Sequence, residues 1–129
     1  MMSEKKIDDY GQVSVYFVGP LNLNRRTKQA TTVMGLKLSL CADEFDALDI
    51  LAAREDEPMT FDLLYSEVWG ARDGSYKRES AYQMLNNLVR KVKDAGAGFM
   101  WIEYEAESGY TFRTHWSHNW QSSKAKAIS

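Results

Sequence analysis

Apolar residues recur along this chain in different rhythms, and the change from one rhythm to the next divides it into a sheet, a helical body and a hairpin. From Val13 to Leu40 the period is two. Val13-Ser14-Val15-Tyr16-Phe17-Val18 alternates and stops at Gly19-Pro20, a turn signal. Leu21 and Leu23 alternate with Asn22 and Asn24, and Ala30-Thr31-Thr32-Val33-Met34 is rich in β-branched residues before Gly35. Leu36, Leu38 and Leu40 are expected on one face, with Lys37 and Ser39 on the other. These runs predict a small antiparallel sheet.

The period then lengthens to that of a helix. Helix one is predicted from about Ala42, with Cys41 at the capping position, Glu44 as the far half of a capping box, and an inward stripe of Phe45, Leu48, Leu51 and Ala52 running to Glu57-Pro58. Thr60 caps helix two, whose Phe61, Leu64, Tyr65 and Val68 fall at i, i+3, i+4 and i+7 before Trp69-Gly70. Helix three, from about Lys77 to Ala95, turns Ala81, Leu85, Leu88 and Val92 inward beside Val89, and Gly96 and Gly98 close it. Phe99-Met100-Trp101-Ile102 and Tyr110-Thr111-Phe112-Arg113 are two strand-like runs joined through Glu105 to Gly109, which predicts a β-hairpin.

Composition narrows the class without naming a function. A chain of 129 residues, 44% hydrophobic and 12% aromatic, suffices for one core. The expected organisation is a flexible segment over 1–12, one domain over 13–116 and a mobile tail over 117–129. A single cysteine excludes an internal disulfide framework, no apolar run approaches bilayer length, and the first residues lack a secretory apolar block. A cytoplasmic protein with no membrane association is expected.

The formal net charge of −2 conceals an asymmetry. Nine acidic residues stand against Arg54 alone between Asp43 and Glu67, whereas six basic residues face Asp73 and Glu79 between Arg72 and Lys93. The basic end can approach phosphates although the whole is acidic. Within it, Gln83, Asn87 and Lys91 recur every four residues and are expected to share an outward face of helix three. Gln and Asn can pair bidentately with adenine in the major groove, so these three are the base-reading candidates. Lys77, Arg78, Arg90 and Lys93 are candidates for phosphate contacts, which position a helix without choosing a sequence. His115 and His118 lack a cysteine pair or a carboxylate at ligand spacing, so neither a metal nor any other cofactor is expected.

Several of these segments, in this order, look familiar. Leu40-Cys41-Ala42-Asp43-Glu44-Phe45-Asp46-Ala47-Leu48 resembles the Leu-Thr-x-x-Glu-Phe-x-x-Leu opening of the OmpR/PhoB-type winged-helix effector domain of bacterial response regulators. Thr60 to Gly70 is similar to its second helix with the terminal Val-Trp-Gly. Leu85 to Val92 stands where the family has Ile-Ser-Arg-Leu-Arg-Lys-Lys-Leu, and Gly109-Tyr110-Thr111-Phe112 matches Gly-Tyr-x-Phe. The resemblance implies an α+β winged helix-turn-helix: an N-terminal antiparallel sheet, three helices and a C-terminal hairpin wing. It places helix three in the major groove, the wing in the adjacent minor groove, and Arg72, Asp73 and Tyr76 in a loop that can contact RNA polymerase. The family's usual arginines are replaced by Asn87 and Val89, and its Thr-Val-Arg-Gly wing aligns with Tyr104-Glu105-Ala106-Glu107. No receiver domain precedes the sheet in this sequence, so a stand-alone effector is expected.

The leading expectation is a non-enzymatic, sequence-specific regulator of transcription that binds double-stranded DNA, as a homodimer or beside a partner. The alternative is a winged-helix interaction module that binds another regulator or RNA polymerase with weak or no DNA affinity, using Trp101, Tyr104 and Tyr110 as hairpin anchors.

Overall fold

The computed structural model describes residues 6–7, 13–70 and 77–115. Five strands form one antiparallel sheet in sequential order: β1 (Lys6–Ile7), β2 (Val13–Val18), β3 (Leu21–Asn24), β4 (Gln29–Thr32) and β5 (Lys37–Leu38). β1, inside the segment expected to be flexible, pairs with β2. Alternation decides which side of the sheet is buried: Tyr16, Leu21, Leu23, Ala30 and Leu38 all turn inward.

The β4 to β5 connection departs from the sequence reading. Val33, Met34 and Leu36, expected in strands, lie exposed in a tight turn. Thr32 closes that turn, its amide donating to Leu36 O at 2.8 Å and its hydroxyl accepting from Leu36 N at 3.2 Å. A polar residue able to bond its own loop overrides the β propensity of its neighbours.

Three helices follow: α1 (Ala42–Ala53), α2 (Phe61–Trp69) and α3 (Arg78–Gly96). Every residue predicted for the inward stripe of α1 is buried, as are Ala81, Leu85, Leu88 and Val92 of α3. Each large side chain so buried contributes roughly 1.5 to 3 kcal/mol. α1 ends earlier than Glu57-Pro58, because the chain reverses through Asp56 at φ +70°. Thr60 caps α2 by accepting from Leu63 N at 3.2 Å. At the end of α3 the chain turns through two residues of positive φ, Ala97 at +47° and Gly98 at +88°. Gly96 is still required, since a Cβ there would stand 2.6 Å from Met100 Cγ.

The sheet is tied to α1 by polar contacts. Tyr16 donates its hydroxyl to the Asp49 carboxylate, and Arg25 Nε pairs with Asp49 Oδ2 at 2.9 Å while its guanidinium lies over the Tyr16 ring. Burial, then the Asp49 carboxylate, holds the Tyr16 phenol above the ordinary tyrosine range.

The hairpin comprises β6 (Met100–Glu105) and β7 (Gly109–Thr114), in register from Met100 opposite Thr114 to Glu105 opposite Gly109. The connection between α1 and α2 pairs with β7 along its length, up to the end next to the turn. Met59 and Tyr110 exchange backbone hydrogen bonds at 2.8 and 2.7 Å, and Asp56 N donates to Phe112 O. Gly109 makes this approach feasible: its φ is +98°, and a Cβ there would meet Met59 O at 2.0 Å. The wing is therefore held against the helical body as far as the last pair before its turn.

Candidate nucleic-acid interface

The buried stripe of α3 determines what the helix presents outward. Glu79, Gln83, Asn86, Asn87, Arg90, Lys93 and Asp94 are all exposed on the far side. Gln83 and Asn87 thus stand clear of the chain, as the sequence predicts. Lys91 does not join them. Its ammonium donates to Glu44 Oε1 at 2.9 Å, to Glu44 Oε2 at 3.1 Å and to Ser39 O at 2.8 Å.

Helix geometry explains the difference. Four residues turn a helix through about 400°, so each i to i+4 step overshoots by about 40°. Over two steps the line from Gln83 through Asn87 drifts about 80°, which carries Lys91 onto the flank that faces α1. Arg90 occupies the outward position instead, and its Nη1 donates to Asn87 Oδ1 at 3.2 Å. The observed polar stripe is Gln83, Asn87 and Arg90.

Glu44 has two roles, of which sequence reasoning found one. Its Oε1 accepts from Cys41 N at 3.0 Å, closing the amino end of α1, and the same carboxylate receives Lys91. The Glu44 side chain is only 6% exposed and that of Lys91 32%. This contact clamps α3 to α1, and the signal for it was the flank position of Lys91.

The four phosphate-contact candidates separate as well. Lys77 and Lys93 are exposed, at the amino and carboxyl ends of α3. Arg90 is exposed beside Asn87. Arg78 is bound to the chain: it pairs with Asp62, and its guanidinium lies 4.8 Å from the Phe61 ring centre and 5.1 Å from that of Tyr65. Arg72, Asp73 and Tyr76 lie outside the described residues.

At the wing, Tyr104, Glu105, Ala106 and Glu107 are exposed, and Ser108 Oγ donates to Glu105 Oε1. Glu103 points to Arg113 at 3.0 Å, and Arg113 also holds Asp56 at 3.0 Å. Of the hairpin aromatics, Tyr104 is exposed, Trp101 half-buried and Tyr110 buried, so Tyr110 is a core residue and not a surface anchor. Burial, then the neighbouring Tyr104 and Tyr82, pushes the Tyr110 phenol up to about 12. Among the described residues no group of three or more His, Cys, Asp or Glu is placed to hold a metal ion, and no helix is long and apolar enough to cross a membrane.

No family model and no curated protein sequence matches the chain. Solved structures do. The DNA-binding domain of CpxR from E. coli aligns with 27% identity and a TM-score of 0.61, over 78% of this chain and 96% of that one. The Klebsiella pneumoniae RstA DNA-binding domain, solved in complex with the RstA box, aligns with 23% identity and a TM-score of 0.60, over 77% and 96%. DrrB of Thermotoga maritima, an OmpR/PhoB homolog, aligns with 17% identity and a TM-score of 0.63, over 81% of this chain and 46% of its own. Element order, sheet, helices and wing together give this chain the winged-helix fold of the OmpR/PhoB-type DNA-binding domains.

Proposed function

We propose that this chain is a DNA-binding transcription regulator that lays α3 in the major groove and reads bases with Gln83 and Asn87, with Arg90 beside them. The observation that carries this reading is the exposed polar stripe of α3, set on a fully buried opposite face. A helix so supported can enter a groove about 12 Å wide without unfolding its own core. Lys77 and Lys93 are the phosphate contacts that orient it, and they carry no sequence preference. Lys91 supports the helix from its flank on α1 and Arg78 pairs with Asp62 at its amino end, so neither is assigned to DNA. The resemblance to the RstA domain solved on its box supports a duplex as the partner. One small module buries limited surface, so binding as a homodimer or beside another protein is part of the proposal.

The wing acts differently from a basic one. Glu105 and Glu107 project from its tip, and a narrow minor groove concentrates negative potential that attracts arginine and repels carboxylates. Contact with DNA is therefore confined to α3 and its ends. The paired variant Glu105→Lys/Glu107→Lys tests this: duplex affinity at low salt should rise about tenfold or more and depend more steeply on salt. Unchanged affinity would place the wing away from the duplex and remove the repulsion argument.

A second reading is favoured by the same wing. An exposed tyrosine beside an acidic hairpin tip suits a protein partner, such as another regulator or RNA polymerase, better than a phosphate backbone. On that reading the parent chain binds duplex weakly, and only the lysine variant binds it well.

A further inference from the structure

Between the amino ends of α2 and α3 and the wing lies an open groove of about 340 Å³ that neither the base-reading stripe nor the core accounts for. Phe61 forms part of its wall, and Tyr82 stacks on Phe61 with ring centres 3.8 Å apart and planes 2° from parallel. Tyr82 and Tyr104 present 41% and 51% of their surfaces to solvent. Glu107 stands at the rim with no hydrogen bond or ion pair among the described residues. From Met100 to Tyr110 the hairpin carries three glutamates and no lysine or arginine.

The chain itself demonstrates the chemistry this wall favours. Arg78 lays its guanidinium over Phe61 and Tyr65 and pairs with Asp62. That arrangement, a planar cation against aromatic rings with a carboxylate at its edge, is one that arginine satisfies better than lysine. The other half of the groove repeats the ingredients, with Tyr82 and Tyr104 as rings and Glu107 as carboxylate, but among the described residues it supplies no cation. A polyanion is disfavoured there, since among the described lining residues Asp62 and Glu107 stand against Arg78 alone, and Arg78 pairs with Asp62.

We propose that this groove docks an arginine-bearing segment of a protein partner, whose guanidinium lies against Tyr82 and Tyr104 and pairs with Glu107. The inference rests on the second reading above, that the wing side of the molecule engages protein.

The test is an amide-resolved NMR titration of the full chain with acetyl-Gly-Arg-Gly-Arg-Gly-amide and with the same peptide carrying citrulline for arginine. The arginine peptide should shift Phe61, Asp62, Tyr82 and Tyr104 to Gly109 together. The citrulline peptide, Glu107→Gln and Tyr104→Ala should each weaken binding roughly fivefold. Glu107 lies on the exposed wing, so its variant keeps the test valid should Tyr104→Ala disturb the hairpin. Equal shifts with citrulline, or shifts spread over the acidic residues of α1, would overturn the proposal. So would concentration-dependent shifts of these residues without peptide, which would indicate a second copy, or shifts there on adding duplex alone. Peptide bound elsewhere and insensitive to Glu107→Gln sinks this site only. A chain that binds duplex tightly through its wing and binds no peptide sinks the partner reading as a whole.

Discussion

Replacing Lys91 by methionine separates a helix-supporting residue from a DNA-contacting one. The ammonium makes three hydrogen bonds between 2.8 and 3.1 Å, two of them to a Glu44 carboxylate that is 6% exposed. Removing it leaves that carboxylate with the Cys41 amide and Ser39 O without this donor. Breaking a fully buried pair costs about 3 to 5 kcal/mol, and a hydrogen bond to a charged group is worth about 1.5 to 3. Since Lys91 is about one-third exposed, water can partly replace it, and about 2 kcal/mol is expected. Urea denaturation should report this as a lower midpoint with an unchanged slope. Adding Glu44→Gln to the same chain should cost less than the sum of the two single changes, because the pair is coupled. In duplex binding, a lysine on a phosphate contributes about 0.9 to the slope of log affinity against log salt. Lys91→Met should leave that slope unchanged, whereas Lys93→Gln should shallow it by about 0.9. A Lys91→Met chain of parental stability with a shallower slope would refute the clamp and restore Lys91 to the DNA surface.

Further outcomes follow from the same geometry. Thr60→Ala removes the cap of α2 and should lower stability by about 1 kcal/mol in urea denaturation. Gly109→Ala forces a side chain at φ +98° against Met59 O, and a loss of about 3 kcal/mol or more is expected, read as failure of the hairpin amides to resist hydrogen exchange. Tyr110 titrates near 12 in the folded chain against about 10 when unfolded, so the folded state binds the phenolic proton more tightly. Its contribution to stability is complete below about pH 10 and is lost as pH rises toward 12. Phenolate absorbance should therefore show two late-titrating tyrosines, Tyr110 and Tyr16, of which Tyr110→Phe removes one.

The helices were legible because each carries one continuous apolar stripe, and the stripes of α1 and α3 are buried residue for residue. The hairpin was legible from two short apolar runs around a glycine turn. What failed had local causes. The Val33 to Leu36 run looked like strand because β-branched composition does not reveal that Thr32 will close a turn on itself. Lys91 turns to the flank because a four-residue spacing approximates one helix face over one step and departs from it over two. Arg78 is a phosphate candidate by charge alone, and nothing in its neighbourhood along the chain announces Asp62 and Phe61, sixteen and seventeen residues away. The groove between α2, α3 and the wing escaped for the same reason, being assembled from three elements whose pairing exists only in three dimensions.

Whether the outward stripe of α3 reads base sequence is decided by selecting bound duplexes from a random library at low salt, run in parallel on the parent chain and on Gln83→Ala. The parent should yield a consensus, and the variant the same consensus with one position relaxed by roughly 1 to 3 kcal/mol of discrimination. Recovery of no consensus by the parent, or of an unaltered one by the variant, would contradict base reading by this stripe.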